Sequence, residues 1–170
     1  MKNIISRFAA YNLWANERLM QFVLKLTEEQ ARKKIESSFE GVLSTVLHLW
    51  DAESIWWQRV RLEEVVKVPS ETFEVGLREA AANLIKQSAQ WKAWTEKASA
   101  VALDHVFEYR NSKKEMYKQP VFEVLLHLFN HQSYHRGQIV TMLRQLGVKD
   151  IPATDFIVFS RSRKSVVVNN

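Results

Sequence analysis

The chain contains no cysteine among its 170 residues. That excludes a disulfide framework, a thiolate zinc site and a protein thiol nucleophile, and it fits a reducing cytoplasm. Glycine and proline are scarce, four and three in all, so tight turns should be few and helices long. No run of residues is long and apolar enough to span a bilayer as a helix. Met1-Lys-Asn-Ile-Ile-Ser-Arg7 breaks its apolar stretch at Ser6 and Arg7 without a small-residue cleavage pattern, so no targeting leader is expected. Charge of one sign is not segregated either. The net +5 comes from 24 basic residues interspersed with 19 acidic ones, and the one basic cluster is Arg161-Ser-Arg-Lys164. Nucleic acid is therefore not an expected partner, although the isoelectric point is about 9.5.

What is present is apolar surface, 46% of the residues, enough for the core of a single domain over 1–170. Helical spacing of Ile4, Ile5, Phe8, Tyr11, Leu19, Phe22 and Val23 predicts a first helix from about Asn3 to Leu26. Trp14 reads as core and Asn16 as solvated or supporting a packing contact. Thr27-Glu-Glu-Gln30 has the form of a capping box and starts a short helix over 28–34. After the break at Ser37–Gly41, a second long helix runs from Val42 to about Glu64. It is apolar on much of its circumference, as expected of a central helix or one at a subunit contact. Val65–Thr72 reads as a loop. A third helix begins at Phe73 or Glu74 and runs to about Ala100. Val106–Arg110 alternates and can pair with Glu115–Lys118 as a small hairpin. Gln119-Pro120 opens the fourth long helix, which reaches Leu146 and stops at Gly147. Ile151–Phe159 is apolar enough to pack back, and the tail from about 160 reads as mobile. Four long helices hide their apolar faces best as a four-helix bundle, so the expected class is all-α with a short β-hairpin before the last long helix.

Three of the five histidines, His127, His131 and His135, follow one another at four-residue intervals on the fourth helix. That spacing stacks them near one side of a helix. Neutral imidazole is a ligand for zinc, nickel, copper and iron, and a pair one turn apart can chelate one ion. By spacing alone, His131 can pair with either His127 or His135. A further ligand must come from another element, and His48, within the second helix, is the best candidate. Gln132 stands where a metalloprotease His-Glu-x-x-His motif has its general base, so that reading is excluded. His105 reads as a surface residue.

The residues around these histidines carry a resemblance. Asn130-His131-x-x-x-His135-Arg136-Gly137-Gln138 is similar to a motif of the DinB (DNA-damage-inducible), YfiT-like family. So are Tyr11-Asn-x-Trp14-Ala-Asn16, His48-Leu-Trp-Asp-Ala-Glu53 with Trp56, and Gly147 followed by Pro152-x-x-Asp155. The resemblance covers nearly the whole chain. It implies a four-helix bundle with a divalent metal, nickel or zinc, on His48, His131 and His135, and waters completing the coordination. His127 is then not a ligand but a neighbour of the site. Asp51, Asn130, Gln138 and Asp155 are candidates to accept the second N–H of a ligand imidazole. Tyr134 can pack or donate a hydrogen bond near the pocket, and Gly137 reads as allowing close helix approach.

Three protein ligands leave a position for water or substrate, as in catalytic zinc sites. The resemblance implies a metal-dependent enzyme, a transferase using a low-molecular-weight thiol or a hydrolase, acting on a small molecule. The alternative is a stress-associated metal-binding interaction protein without catalysis. The aromatic residues of helices two and three suggest a homodimer face.

Overall fold

The computed structural model describes residues 1–72, 74–111 and 113–162. Its elements, in order, are α1 (Lys2–Val23), α2 (Glu28–Arg32), α3 (Val42–Val60), α4 (Pro69–Thr72), α5 (Leu77–Lys97), α6 (Ala100–Asp104), β1 (Val106–Arg110), β2 (Met116–Pro120), α7 (Val121–Gln145) and α8 (Phe156–Ser162). The four long helices are the expected ones, each trimmed by a few residues. β1 and β2 form the expected antiparallel hairpin, with Val106 opposite Pro120 and Arg110 opposite Met116. Gln119 and Pro120 thus belong to the strand rather than to the last helix. Three short helices were not expected. One of them, α8, extends through Ser162, which corrects the start of the tail; the remaining tail residues lie outside the described ones, as does Phe73.

Packing follows a ring: α1 lies against α5 and α7, and α3 lies against the same two helices. Consecutive α1 and α3 are therefore diagonal. Contacts give the directions. Ser6 bonds near Thr95 and Asn16 near Ser88, so α1 and α5 are antiparallel. Glu53 meets Ser88 while Trp57 meets Trp91, so α3 and α5 are parallel. A parallel neighbour requires the intervening chain to return along the bundle. The segment 61–76 does so, anchored midway where both carboxylate oxygens of Asp51 accept from Ser70 of α4, its N–H at 2.9 Å and its hydroxyl at 2.6 Å.

Local chemistry sets the element ends. Thr27 Oγ1 accepts from the Gln30 N–H and Gln30 Oε1 accepts from the Thr27 N–H, the two halves of a capping box. Gly41 holds φ +110°, and a Cβ there would stand 2.6 Å from the Lys33 carbonyl oxygen. Glycine at this position lets the 33–41 segment close against the start of α3.

The apolar core is in two parts. One gathers Leu19, Met20, Val23, Val46, Leu49, Leu84, Ile139 and Leu143. The other gathers Ile5, Trp91, Leu103, Leu125, Leu128 and Phe129. A smaller cluster joins α8 to α1 through Phe159, Tyr11 and Ala15. Between the two main parts lies a buried polar layer. Arg136 Nη1 donates to Asn12 Oδ1 at 2.7 Å and to Asn16 Oδ1 at 3.0 Å. Asn12 Nδ2 donates to Glu53 Oε1 at 2.7 Å, and the Ser88 hydroxyl lies 2.8 and 2.9 Å from the two Glu53 oxygens. One side chain or more from each long helix takes part. Asn16 is thus fully buried and central, not solvated.

Candidate metal centre

His48 lies mid-way along α3, and His131 and His135 occupy successive turns of α7. The two helices are antiparallel, because Leu49 meets Gln132 while Trp56 meets His127. Gln132, fully buried, fixes the register: its Nε2 donates to the Leu49 carbonyl at 2.8 Å, directly beside His48. The fold therefore brings together three imidazoles distant in sequence, with one ring nitrogen from each lying within 4.8 Å of the others. His48 Nε2 and His131 Nε2 are 3.0 Å apart.

Two of the rings are held uncharged. Burial, together with repulsion from His135, lowers the His48 pKa to about 4. His131 is lowered to about 4 by burial and by the charges of its histidine neighbours. At neutral pH both carry the lone pair a metal needs. His135 is buried, and its Nδ1 lies 2.7 Å from Gln138 Oε1. Gln138 Nε2 donates to Ser38 Oγ at 2.7 Å, which fixes the amide orientation. The Gln138 oxygen then faces His135, so His135 Nδ1 donates and its Nε2 is free to ligate. His131 Nδ1, by contrast, is buried with no partner among the described residues.

Donor chemistry and spacing both fit a divalent ion. Nitrogens bonded to one ion at about 2.1 Å stand roughly 3.0–3.4 Å apart, depending on the angle between the bonds. The His48–His131 distance falls in this range, and the third ring lies close by.

The other expected neighbours fall differently. Gln138 is at the site. His127 is exposed and outside the trio; its ring centroid is 5.9 Å from those of both His131 and Trp56. Asp51 is not at the site, because its carboxylate is taken by Ser70. Asp155 is at the start of α8, where its carbonyl accepts from Val158 and Phe159. Asn130 is exposed and makes no hydrogen bond to the three histidines among the described residues. Tyr134 is exposed, with its ring centroid 4.9 Å from that of His135. Gly137 is exposed and has nothing within 4 Å of where a Cβ would stand, so it does not mediate close helix approach. His105 is exposed, as expected.

Phe39 was not expected here. It stacks on His48 at 3.9 Å between centroids and stands edge-on to His135 at 5.5 Å. The only hint in the sequence is an isolated aromatic residue inside the polar break before Gly41. With Ser38 bonded to Gln138, the 33–41 segment covers one side of the trio. Arg136, next to His135, turns instead into the buried layer. Burial raises the Glu53 pKa there to about 7, opposed by hydrogen bonds from Ser88, Asn12 and Asn16 and by the charge on Arg136.

The family model for the DinB family matches residues 1–164. The chain belongs to the DinB family. Protein DinB of Bacillus subtilis (strain 168) is 26% identical over 165 residues, 92% of this chain and 93% of that protein. Among solved structures, this DinB-family chain is similar to YfiT from Bacillus subtilis, described as a probable metal-dependent hydrolase with an unusual four-helix bundle topology. The TM-score is 0.67 at 17% identity, over 86% of this chain and 90% of YfiT. A dinb-like protein of Bacillus subtilis, yjoa, gives a TM-score of 0.65 at 13% identity, over 87% and 97%. At these identities the structural likeness establishes the DinB fold, with its diagonal placement of consecutive helices, and nothing finer. No helix among the described residues is long and apolar enough to cross a membrane.

Proposed function

We propose that this chain is a metal-dependent enzyme in which His48, His131 and His135 hold one divalent ion, nickel or zinc. The observation that carries the reading is the convergence of three imidazole nitrogens from two helices, within 4.8 Å of one another. His48 and His131 are only half-buried, which leaves a face toward solvent for a substrate. An ion held by three protein ligands would supply a coordination position and lower the pKa of a water or thiol placed there.

The protein's own groups prepare that position. Gln138, held by Ser38, keeps the third imidazole in the ligating tautomer. Phe39 excludes water from the outer face of His48. Gln132 holds α7 on α3 so that the chelating pair and the single ligand stay in register. The favoured reaction is hydrolysis of a small molecule, the class of reaction ascribed to YfiT. Transfer to a low-molecular-weight thiol uses the same position; that thiol must come from outside, since the chain has no cysteine. The proposal includes a cytoplasmic setting and a homodimer. Trp91, however, is buried in its own chain and packs edge-on with Trp57 and Trp94, so these rings do not require a second copy.

Metal analysis of untagged protein beside His48→Ala and His131→Ala tests the site. Stoichiometric metal in the parent and its loss from both variants is the expected result. A parent that folds fully without metal and takes none up would overturn the reading. In cobalt-substituted protein, a visible spectrum that changes with added glutathione favours thiol transfer, and one that does not leaves hydrolysis.

A further inference from the structure

We propose that the cavity beside Arg59, which lies further along α3 than His48, is an anion subsite for the substrate of the three histidines, so that the substrate is an elongated organic anion with an apolar middle. The inference rests on the reading of the histidines as the reactive end. Arg59 stacks on two rings, its Cζ 4.6 Å from the Trp56 centroid and 5.3 Å from that of Tyr109. Among the described residues its guanidinium has no ion-pair partner; the five ion pairs use other cations. A half-buried arginine placed over two aromatic rings, with its N–H fork uncommitted among the described residues, suits a carboxylate or a phosphate group.

Arg59 lines a cavity of about 580 Å³, whose apolar wall includes Ile55, Val66, Val68, Tyr109 and Met116. Its other charged residues are Glu63, Glu64, Glu108 and Arg110. Arg61 engages Glu63 and Lys118 engages Glu108, which reduces the repulsion that these two carboxylates exert on an incoming anion, while Glu64 has no ion pair among the described residues. The Tyr109 hydroxyl donates to Gln119 and so presents its ring rather than its oxygen.

The cavity is in line with the trio. His48, Ile55 and Arg59 recur along α3 at helical spacings of seven and four. Eleven residues of helix span about 16 Å. Between the two ends stand Trp56 and His127, and His127 in turn contacts His131. A molecule touching both ends therefore lies across the Trp56 and His127 rings. This gives three parts to the ligand: a reactive group at the histidines, a planar or apolar middle, and an anionic end at Arg59.

The test uses 1-naphthaleneacetate, its neutral amide and 1-naphthyl phosphate. Each is titrated into nitrogen-15-labelled zinc-loaded protein while the arginine Nε–H and tryptophan indole resonances are followed. The acetate should shift the Arg59 and Trp56 signals and bind about tenfold or more tightly than the amide. Arg59→Met should abolish that preference, and Arg59→Lys, the variant more certain to fold, should retain part of it. Tighter binding of the phosphate assigns a phosphoryl end, and tighter binding of the acetate a carboxylate end. Equal affinity for acetate and amide, or a preference that survives Arg59→Met, overturns the subsite. The same titration in the metal-free His48→Ala/His131→Ala protein removes direct coordination of the probe by zinc. A preference kept there upholds the subsite even if the metal reading fails.

Discussion

His135 and its neighbour Arg136 leave α7 in different directions, one toward the half-open histidine trio and the other into the sealed layer between the two parts of the core. In the layer, Arg136, Asn12, Asn16, Glu53 and Ser88 match donors to acceptors across all four long helices. In the trio, His131 Nδ1 is buried without a partner among the described residues, and two nitrogens face each other at 3.0 Å with no proton-sharing partner fixed by a third group. The first arrangement is what a fold needs from buried polar groups, and the second is what a ligand needs from a site. Polar burial on adjacent residues thus serves arrangement of the helices in one case and readiness to bind in the other.

Breaking the sealed layer should have the largest effect. Arg136→Met leaves Glu53 buried without its balancing charge and two asparagine oxygens without a donor. Each buried acceptor left without its donor costs about 1–3 kcal/mol. Urea unfolding should show a loss of that size. A loss under about 1 kcal/mol would mean that the layer is not the structural element described above. On the open side the effect moves from folding to binding. Gln138→Ala removes the acceptor that orients His135 and should weaken metal binding about 10–100-fold, roughly 1.4–2.7 kcal/mol. Competition against a chelator measures it, and unfolding of the metal-free protein should change by less than about 1 kcal/mol.

Titration separates the two clusters by sign, with a smaller effect because the His48 and His131 rings are half exposed. Their folded pKa values of about 4 lie below the ordinary 6.5, so the unfolded chain takes up protons first as pH falls. Their contribution is present above pH 6.5 and is lost toward pH 4. Glu53 runs the other way. Its folded pKa of about 7 lies above the ordinary 4.5, so its contribution is full below pH 4.5 and declines as pH rises to 7. In metal-free protein, His48→Gln/His131→Gln should flatten the acid-side loss between pH 6.5 and 4. Urea midpoints across that range check it; an unchanged slope would mean that the rings titrate normally in the folded chain.

The open cluster was more legible in the sequence than the sealed one. The row of histidines at four-residue spacing is visible directly, but spacing leaves His127 and His135 equal, and the choice of His48, His131 and His135 rests on the resemblance to the DinB family. The long helices were legible for the same reason: Val42–Val60 and Val121–Gln145 carry a dense apolar period. Asn12 and Asn16 were not, because a single asparagine in a helix looks alike whether it faces water or Arg136. Asp51 was misplaced because a carboxylate near a histidine in sequence says nothing about which way the helix turns it, and Asp155 because the path of the chain after α7 has no periodicity to read. Phe39 lay in a break whose path depends on Gly41 closing against Lys33, a contact without periodicity. The direction of α5 was equally hidden, since it depends on where the 61–76 segment returns.

Gly137 tests how finely the two clusters are separated. It sits between Arg136, which belongs to the layer, and Gln138, which belongs to the trio. If α7 needed a bare backbone here to approach another helix, alanine would disturb both clusters at once. Nothing lies within 4 Å of the position a Cβ would take, and the residue is exposed. Alanine should then act only through helix propensity and the entropy of the unfolded chain, which favours it by about 0.5–1 kcal/mol. Gly137→Ala should therefore raise the melting temperature by about 1–4 °C and leave metal affinity unchanged. A lower melting temperature with intact metal binding would place an unseen constraint in the layer, whereas weakened metal binding at unchanged stability would place it in the trio.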